Sequence, residues 1–223
     1  MGPLKDIKIF DLTRVLAGPH CTQILGDLGA DIIKVERVEN GDDTRKFAPP
    51  FMKDENGNDT DQSAYFSGTN RNKRSITLNL NSPEGQYIAK QLIAKSDILV
   101  ENFKVGTLAK YGLDYNTLKD EFPSLIYCSI TGFGQTGPYS KRPAYDALVQ
   151  AMGGVMSLTG DANGEPMKVG VSIADLMAGM YGTVSILAAL RHRDKTNEGQ
   201  HLDISMLDAH VAWLANQGMN YLA

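Results

Sequence analysis

The sequence predicts an α/β fold with an open, mostly parallel sheet that is covered by helices on both faces. Short apolar runs alternate along the chain with longer helical patterns, which is the order typical of parallel sheets. The chain has 223 residues, 42% apolar and 22% charged, which is ordinary for a globular protein with one large core. Its two cysteines are far apart in the sequence, so a disulfide scaffold and a zinc site of clustered cysteines are excluded.

Each strand is predicted from a short apolar run, and each helix from an amphipathic stretch or a capping signal. The predicted strands are 7–10, 31–35, 75–78, 97–100, 125–130 and 201–205. The predicted helices are 20–28, 83–95, 107–110, 116–122, 145–152, 176–191 and 207–222. A turn at Gly18-Pro19 precedes the first helix, and Gly29 ends it. Ser82 is the expected N-cap of the second helix, with Pro83 at its first position.

Three segments depart from this alternation. The polar stretch 41–68 has no period and is expected to be a long surface loop, a class of segment that is more often functional than idle. The apolar run 176–190 is shorter than the roughly 20 residues that span a bilayer and is expected to be a buried core helix. The last helix stops at Ala223 without a capping glycine or a polar tail, so we expect the chain to be a fragment.

Charge and the N-terminal sequence argue against several classes of protein. Lys and Arg number 22 against 26 Asp and Glu, which gives a net charge of −4 without any block of like charge. This balance does not suit a nucleic-acid-binding surface. Residues 1–6 contain no apolar segment of a signal peptide. We therefore expect a soluble cytoplasmic protein that binds neither nucleic acid nor a membrane.

A glycine motif follows the fifth predicted strand. Residues 132–137 fit the G-x-G-x-x-G pattern of dinucleotide sites. Pro138 follows at once, where a helix should present its N-terminus to a pyrophosphate. The context therefore favours a flexible loop, and an NAD-dependent oxidoreductase remains an alternative. Without a P-loop or a G-x-S-x-G sequence, nucleotide hydrolysis and serine esterase chemistry lose support.

Asp175 lies between an apolar extended run and an apolar helix. One interpretation is an N-cap, which Asp commonly provides. The other is a nucleophile at a helix N-terminus, where the helix dipole favours the ionised carboxylate by roughly 0.3–1 kcal/mol. Both interpretations are compatible with the sequence.

Cationic residues cluster in the short segments next to predicted strands, where parallel sheets bind ligands. These residues are Arg37, Arg71, Lys73, Arg74 and Lys104. They would suit a phosphorylated cofactor, and a solvated surface explains them equally well. The four histidines show no paired spacing of metal ligands, and Cys128 is expected to be a buried, inert thiol.

Several stretches, taken together, resemble one enzyme family in order and spacing. They are 4–11, 15–19, 28–36, 72–76, 97–103, 173–179 and 188–209. The chain is similar to the N-terminal part of the class III coenzyme A transferases, a group that includes formyl-CoA and carnitine CoA-transferases and α-methylacyl-CoA racemases. The resemblance implies that residues 1–223 form a Rossmann-like, CoA-binding large domain. It also implies a longer protein with a second, smaller domain and an interlocked homodimer.

The resemblance implies a nucleophile and a set of CoA contacts. Asp175 occupies the place of the family's catalytic aspartate. The CoA contacts would be Leu16, Ala17, Arg37, Leu78, Asn79, Leu80, Asn102, Phe103, Lys104, Lys110, Arg142 and Tyr145. Lys110 stands where some members carry arginine, so it keeps the charge and loses the bidentate fork. The implied substrates are an acyl-CoA and a carboxylic acid, with neither a metal nor nucleotide hydrolysis.

The family contains transferases and racemases, and residues 144–146 favour the transferases. Racemases carry Gly-His-Asp at these positions, whereas this chain has Ala144-Tyr145-Asp146. Tyrosine, with an ordinary pKa of about 10, is a poor base for removing an α-proton at pH 7. The expected reaction moves CoA between acids through an aspartyl anhydride and an aspartyl-CoA thioester. A racemase and an inactive relative or fragment remain the alternatives.

Overall fold

A computed structural model describes residues 2–223 and contains the predicted parallel sheet. The strands are β1 Lys8–Asp11, β2 Asp31–Glu36, β3 Phe51–Lys53, β4 Asp59–Ser63, β5 Lys73–Thr77, β6 Ile98–Glu101, β7 Ile126–Thr131 and β8 His201–Ser205. The helices are α1 Ala17–Asp27, α2 Ala64–Thr69, α3 Pro83–Ile93, α4 Tyr115–Leu118, α5 Asp146–Met152, α6 Ile173–Thr196, α7 Met206–Trp213 and α8 Ala215–Leu222. Six strands pair in parallel in the order β5-β2-β1-β6-β7-β8. The α/β prediction is therefore confirmed.

Alternate residues of the strands supply two cores, one on each face of the sheet. Ile9 and Ile98 belong to the core that includes residues of α1 and α6. Their neighbours Phe10 and Leu99 belong to the core that includes residues of α3. Successive side chains of a strand point to opposite faces, so a strand covered on both faces must be apolar throughout. This is why the strands could be recognised as unbroken apolar runs.

Helix α1 begins earlier than the sequence predicts. It starts at Ala17 rather than at residue 20, so Gly18 and Pro19 lie in its first turn and do not form a separate turn. Proline is tolerated there because the first N–H groups of a helix have no acceptor within the helix. Only residues 12–16 separate β1 from α1, which places the N-terminus of α1 at the edge of the sheet.

The stretch 41–68 is not the unstructured loop that its composition predicts. It contains a 3₁₀ turn at Asp43–Lys46, the antiparallel hairpin β3–β4 and helix α2. Gly57 lies in the hairpin turn with a φ of 83°. The two strands are 3 and 5 residues long and mostly exposed, so they show none of the apolar alternation by which a strand is predicted.

Helix α6 is longer than predicted and spans 24 residues. Among residues 2–223 it is the one helix with the length and hydropathy to cross a membrane, a property that core helices of globular proteins share. One side packs on α1 so closely that a β-carbon at Gly179 would lie 2.7 Å from the carbonyl oxygen of Ala17. The opposite side exposes Met180 and Val184. The predicted core helix is thus buried on one side only.

Three other helix predictions need correction, and one capping prediction is confirmed. The single helix predicted over 207–222 is broken into α7 and α8, where Ala215 has a φ of 47°. Ser82 caps α3 as predicted, since its hydroxyl accepts a hydrogen bond from the Gly85 N–H at 3.1 Å. The stretches 107–110 and 116–122 contain a 3₁₀ turn at Leu108–Tyr111 and the one-turn helix α4.

Candidate active site

The sheet forms a crevice at the carboxyl ends of β1 and β6. From β1 the chain continues outward through β2 to β5, and from β6 it continues in the other direction through β7 to β8. The loops that follow β1 and β6 therefore leave on different sides of the sheet. Parallel α/β sheets bind ligands in the crevice at such a switch point. Here residues 14–17 and 102–105 line its walls.

A cavity of about 270 Å³ lies in this crevice, and we call it the Asp175 cavity because Asp175 forms part of its wall. Its walls come from the segments after β1, β6 and β7 and from the first turn of α6. Eight residues that the sequence singled out line this cavity: Leu16, Ala17, Asn102, Phe103, Lys104, Arg142, Tyr145 and Asp175. The fold thus brings together four segments that are distant in the sequence.

A second cavity, of about 460 Å³, adjoins the first, and we call it the Arg37 cavity. Arg14 and Phe103 line both cavities. Four more residues from the sequence analysis line the second one: Arg37, Leu78, Asn79 and Leu80. Lys110 lines neither cavity and is exposed, whereas the adjacent Tyr111 lines the Arg37 cavity. A CoA contact by Lys110 stays a prediction.

Asp175 is the third residue of α6, and its carboxyl group is more basic than the sequence predicts. Burial raises its pKa to about 7, and the carboxylate of Asp146 adds to the rise. The backbone N–H of Ala17 acts in the opposite direction and lowers the pKa. The sequence indicated that the helix dipole would favour the ionised carboxylate, but the cost of burying the charge is larger and raises the pKa. Near neutral pH the carboxyl group exists in both forms.

Asp146 provides the cap of α6 that the N-cap interpretation assigned to Asp175. Its Oδ1 accepts a hydrogen bond of 2.9 Å from the Ala174 N–H, at the start of α6. Its Oδ2 accepts one of 2.7 Å from the side chain of Gln150, which is fully buried. The side-chain Oε1 of Gln150 in turn accepts a hydrogen bond of 2.8 Å from the Val169 N–H. This chain of hydrogen bonds holds the segment that leads into Asp175.

Tyr65 lies in the neighbourhood of Asp175 and was not singled out in the sequence, although it lines neither cavity. It lies in α2, inside the stretch expected to be a loop, and is partly buried. Burial raises the pKa of Tyr65, and the carboxylates of Asp175 and Asp146 contribute to the rise. Tyr65 is therefore close enough to sense the charge of Asp175. Nothing in the local sequence distinguishes it from other tyrosines.

Most of the clustered cations are engaged within the protein and do not face the cavities. Lys73 is buried, and its ammonium group lies 3.2 Å from the carboxylate of Asp11. Arg71 and Arg74 pair with surface aspartates. Of these five cations, Arg37 lines the Arg37 cavity and Lys104 lines the Asp175 cavity, whereas the other three line neither. Of the two interpretations that the sequence left open, the surface ion pairs of Arg71 and Arg74 favour the solvated surface for these two residues.

A second buried ion pair supports the loop between β1 and α1. The ammonium group of Lys34 lies 2.8 Å from the carboxylate of Asp42 and donates a 2.8 Å hydrogen bond to the carbonyl oxygen of Thr13. Asp42 also accepts from the N–H of Val15, which has a φ of 70°. A β-branched residue rarely adopts this conformation, so the surrounding hydrogen bonds must hold it there.

The glycine motif forms a loop, as predicted. Residues 132–145, all of which the structure describes, contain turns and no helix. Gly134 and Gly137 have φ values of 80° and 86°. Gly132 lines the Asp175 cavity, and a β-carbon there would lie 2.3 Å from that of Ala144. The motif thus covers the cavity and does not open a dinucleotide-binding helix.

The described residues form no cluster of metal-ligating side chains, and both cysteines are buried. Among residues 2–223, no group of three or more His, Cys, Asp or Glu side chains is arranged to hold a metal ion. Cys21 and Cys128 are free and buried. Burial raises the pKa of Cys21 to about 12 and that of Cys128 well above its ordinary value. The prediction of an inert thiol at Cys128 agrees with its burial.

Comparison with known families gives a match over nearly the whole chain. The family described as CoA-transferase family III matches residues 4–223. A succinate–glutarate CoA-transferase from Agrobacterium fabrum is 52% identical over 220 residues, which are 99% of this chain and 55% of that protein. A human succinyl-CoA:glutarate CoA-transferase is 47% identical over 220 residues, covering 99% of this chain and 49% of that protein. The chain thus spans about half the length of the curated relatives it matches.

The fold agrees with that of a solved protein of the same kind. A CAIB/BAIF family protein from Brucella suis superimposes with a TM-score of 0.94 at 51% sequence identity. The match covers 99% of this chain and 57% of the other. The Brucella suis protein therefore has the same fold as this chain over the matched region.

Proposed function

The chain belongs to CoA-transferase family III, and on that basis we propose that it carries the CoA-binding site and the nucleophile of an enzyme that moves CoA from a dicarboxylyl-CoA to a dicarboxylic acid. The observation that carries the proposal is Asp175, a partly buried carboxyl group in the wall of a cavity that adjoins a second, larger one. The names of two relatives supply the substrate class, with succinyl-CoA as the donor and glutarate as the acceptor.

In the proposed reaction, a carboxylate oxygen of Asp175 attacks the thioester carbon. The C–S bond breaks, CoA leaves as the thiolate, and a mixed anhydride remains on the protein. The thiolate then attacks the aspartyl carbonyl carbon, which forms an aspartyl-CoA thioester and releases the donor acid. The acceptor carboxylate repeats the two exchanges in reverse and leaves as the new acyl-CoA. Each step replaces one activated acyl bond by another, so neither ATP nor a metal ion is required.

The environment of Asp175 supports this role. Only the ionised carboxylate is a nucleophile, and burial raises the pKa of Asp175 to about 7. A carboxylate with this pKa is more basic than an ordinary aspartate and is still about half ionised at pH 7. The backbone N–H of Ala17 donates a hydrogen bond that favours the ionised carboxylate. Each attack on a carbonyl carbon forms an oxyanion, and we propose that N–H groups at the start of α6 or in residues 132–137 stabilise it.

A homodimer and a cytoplasmic location are part of the same proposal. Leu148, Met152, Met180 and Val184 of α5 and α6 are each more than 40% exposed. Exposed apolar side chains on neighbouring helices support a protein partner, and a second copy is the one that we propose. The free cysteines suit a reducing compartment.

Trapping of the covalent intermediate tests the proposal. The protein is incubated with succinyl-CoA, with and without glutarate, then treated with hydroxylamine, and its intact mass and peptides are analysed. We expect a hydroxamate at Asp175 and formation of glutaryl-CoA, both lost in Asp175→Ala. The matched control is Asp194→Ala, which removes an exposed carboxylate from the same helix. Transfer by the Asp175→Ala protein, or an adduct at another residue, would refute the assignment.

A further inference from the structure

Arg14 stands at the border between the two cavities, and both ends of one amide side chain hold its backbone. The Arg14 N–H donates to Oδ1 of Asn102 at 2.9 Å, and Nδ2 of Asn102 donates to the carbonyl oxygen of Arg14 at 2.7 Å. We call this pair the Arg14–Asn102 clamp. It joins the segment after β1 to the segment after β6 directly across the crevice. Because both polar ends of Asn102 are used in the clamp, its amide has a structural task at this border.

The side chain of Arg14 is also held in place, yet its guanidinium group donates no hydrogen bond to the described residues. Its guanidinium carbon lies 5.1 Å from the centre of the Phe103 ring. Its Nε is buried and has no hydrogen-bond partner among the residues that the structure describes. The nearest carboxylate is that of Asp43, at 3.6 Å, and Asp43 is already paired with Arg37. A buried N–H without an acceptor destabilises the free protein, so a hydrogen-bond acceptor on a ligand would remove that cost.

The other arginines near the crevice lack this combination of order and free donors. Arg45 makes two hydrogen bonds of 2.7 Å to the carboxylate of Glu36. Arg142 is exposed and stacks on the ring of Tyr139 at 4.3 Å. Arg14 is the preorganised cation at the border of the cavities, since a clamped backbone and a stacked guanidinium lose little further freedom on binding.

From this geometry we infer that Arg14 binds the diphosphate of the CoA ester and that Asn102 acts as a positioning residue for it. The inference rests on the proposed function, in which the thioester lies at Asp175. With the nucleotide in the Arg37 cavity, the connecting part of the molecule has to pass Arg14, which lines both cavities. That part consists of the diphosphate and the uncharged pantetheine. The planar guanidinium fork suits phosphate oxygens, and the diphosphate is the anionic group of the connecting part.

A comparison of two thioesters separates contacts to the phosphorylated half of CoA from contacts to the pantetheine and the acyl group. The protein, Arg14→Gln and Arg14→Lys are assayed with succinyl-CoA and with succinyl-pantetheine, which lacks the diphosphate and the nucleotide. For Arg14→Gln we expect kcat/KM to fall roughly 10- to 100-fold with succinyl-CoA and less than about 2-fold with succinyl-pantetheine. Arg14→Lys keeps the charge without the fork and should lie between. Arg74→Gln is the matched control, because Arg74 is an exposed arginine paired with Asp31 at the opposite end of the strands.

Asn102→Ala tests the positioning role. We expect its loss to appear in KM more than in kcat and to be confined to succinyl-CoA. In the Asn102→Ala protein, Arg14→Gln should lower kcat/KM by less than it does in the unmodified protein. The reason is that Asn102→Ala has already removed part of the contribution of Arg14. Full additivity, or an equal loss with both esters, would show that Asn102 acts without Arg14 and would overturn this part.

The remaining outcomes separate the inference from the function. Equal losses with both thioesters in Arg14→Gln would place Arg14 at the acyl end and overturn the inference, as would no loss with either. A loss that disappears with the ester of 3′-dephospho-CoA would assign Arg14 to the 3′-phosphate, which also overturns it. If the unmodified protein transfers nothing, the proposed function fails. Calorimetric Kd values of the unmodified protein and Arg14→Gln for CoA and for pantetheine still test the role of Arg14. Only weaker binding of CoA by Arg14→Gln, with unchanged binding of pantetheine, supports the inference.

Discussion

Replacement of Asp175 by Asn should make the fold more stable, and the gain should depend on pH in a defined way. Burial and Asp146 raise the pKa of Asp175 from an ordinary 3.8 to about 7. The folded chain therefore binds this proton more tightly than the unfolded chain does. The cost of the buried charge is absent below pH 3.8, grows as the pH rises through the interval to about 7, and is complete above it.

The size of the effect follows from the same shift. A rise of about 3 pKa units corresponds to about 4 kcal/mol, since each unit is worth 1.36 kcal/mol. This is an upper bound, because the carboxyl group is partly exposed and water screens part of the charge. In a protein of this size, 4 kcal/mol would raise the melting temperature by roughly 8–16 °C.

Guanidinium unfolding of both proteins at a series of pH values from 4.5 to 8.5 measures the difference. We expect Asp175→Asn to gain stability over the unmodified protein as the pH rises to 7, with a plateau above pH 8. Asp194→Asn, an exposed position on the same helix, is the control and should show no such trend. A gain that is constant across this range, or that shrinks as the pH rises, would contradict the assigned cost of burying the charge.

Three further predictions address other parts of the site. Asp146→Asn removes the carboxylate that adds to the rise in the pKa of Asp175, so the midpoint of the pH–rate profile for transfer should fall, and an unchanged midpoint would oppose this. Burial raises the pKa of Glu101 from 4.5 to about 7, so the fold loses stability as the pH rises through this interval. Glu101→Gln should therefore flatten the dependence of the melting temperature on pH. Parallel curves of melting temperature against pH for the two proteins would argue against it. Gly179→Ala places a β-carbon 2.7 Å from the carbonyl oxygen of Ala17, which should cost about 1–3 kcal/mol in denaturant unfolding and lower the transfer rate, whereas unaltered unfolding would show that α1 can yield there.

The parts of the fold that the sequence predicts are those in which local pattern and tertiary environment agree. The strands of the sheet are covered on both faces, so their apolar runs mark them directly. Ser82 and Pro83 predict the start of α3 because capping depends on a few adjacent residues. Asp175 could be singled out because a lone carboxylate between two apolar segments is unusual.

The parts that the sequence does not predict depend on partners that are distant in the chain. Nothing beside Lys73 indicates that it is buried, because its partner Asp11 lies 62 positions earlier. Arg14 was not a predicted site residue, since its importance arises from Asn102, which follows strand β6, and from a cavity wall that only the folded sheet creates. The rise in the pKa of Asp175 could not be predicted for the same reason, because both its burial and the approach of Asp146 arise from the fold.

The central position of β1 in the sheet has a consequence for the order in which the site can form. The partners of β1 in β2 are close to it in the sequence. Its partners in β6 are nearly 90 residues away, and the Arg14–Asn102 clamp joins residues that are 88 positions apart. Closing such a long loop is slow compared with local pairing. During synthesis at about 5–20 residues per second, Arg14 would be incorporated roughly 4–18 s before Asn102. Until then one wall of the crevice stands alone, with the edge of β1 unpaired.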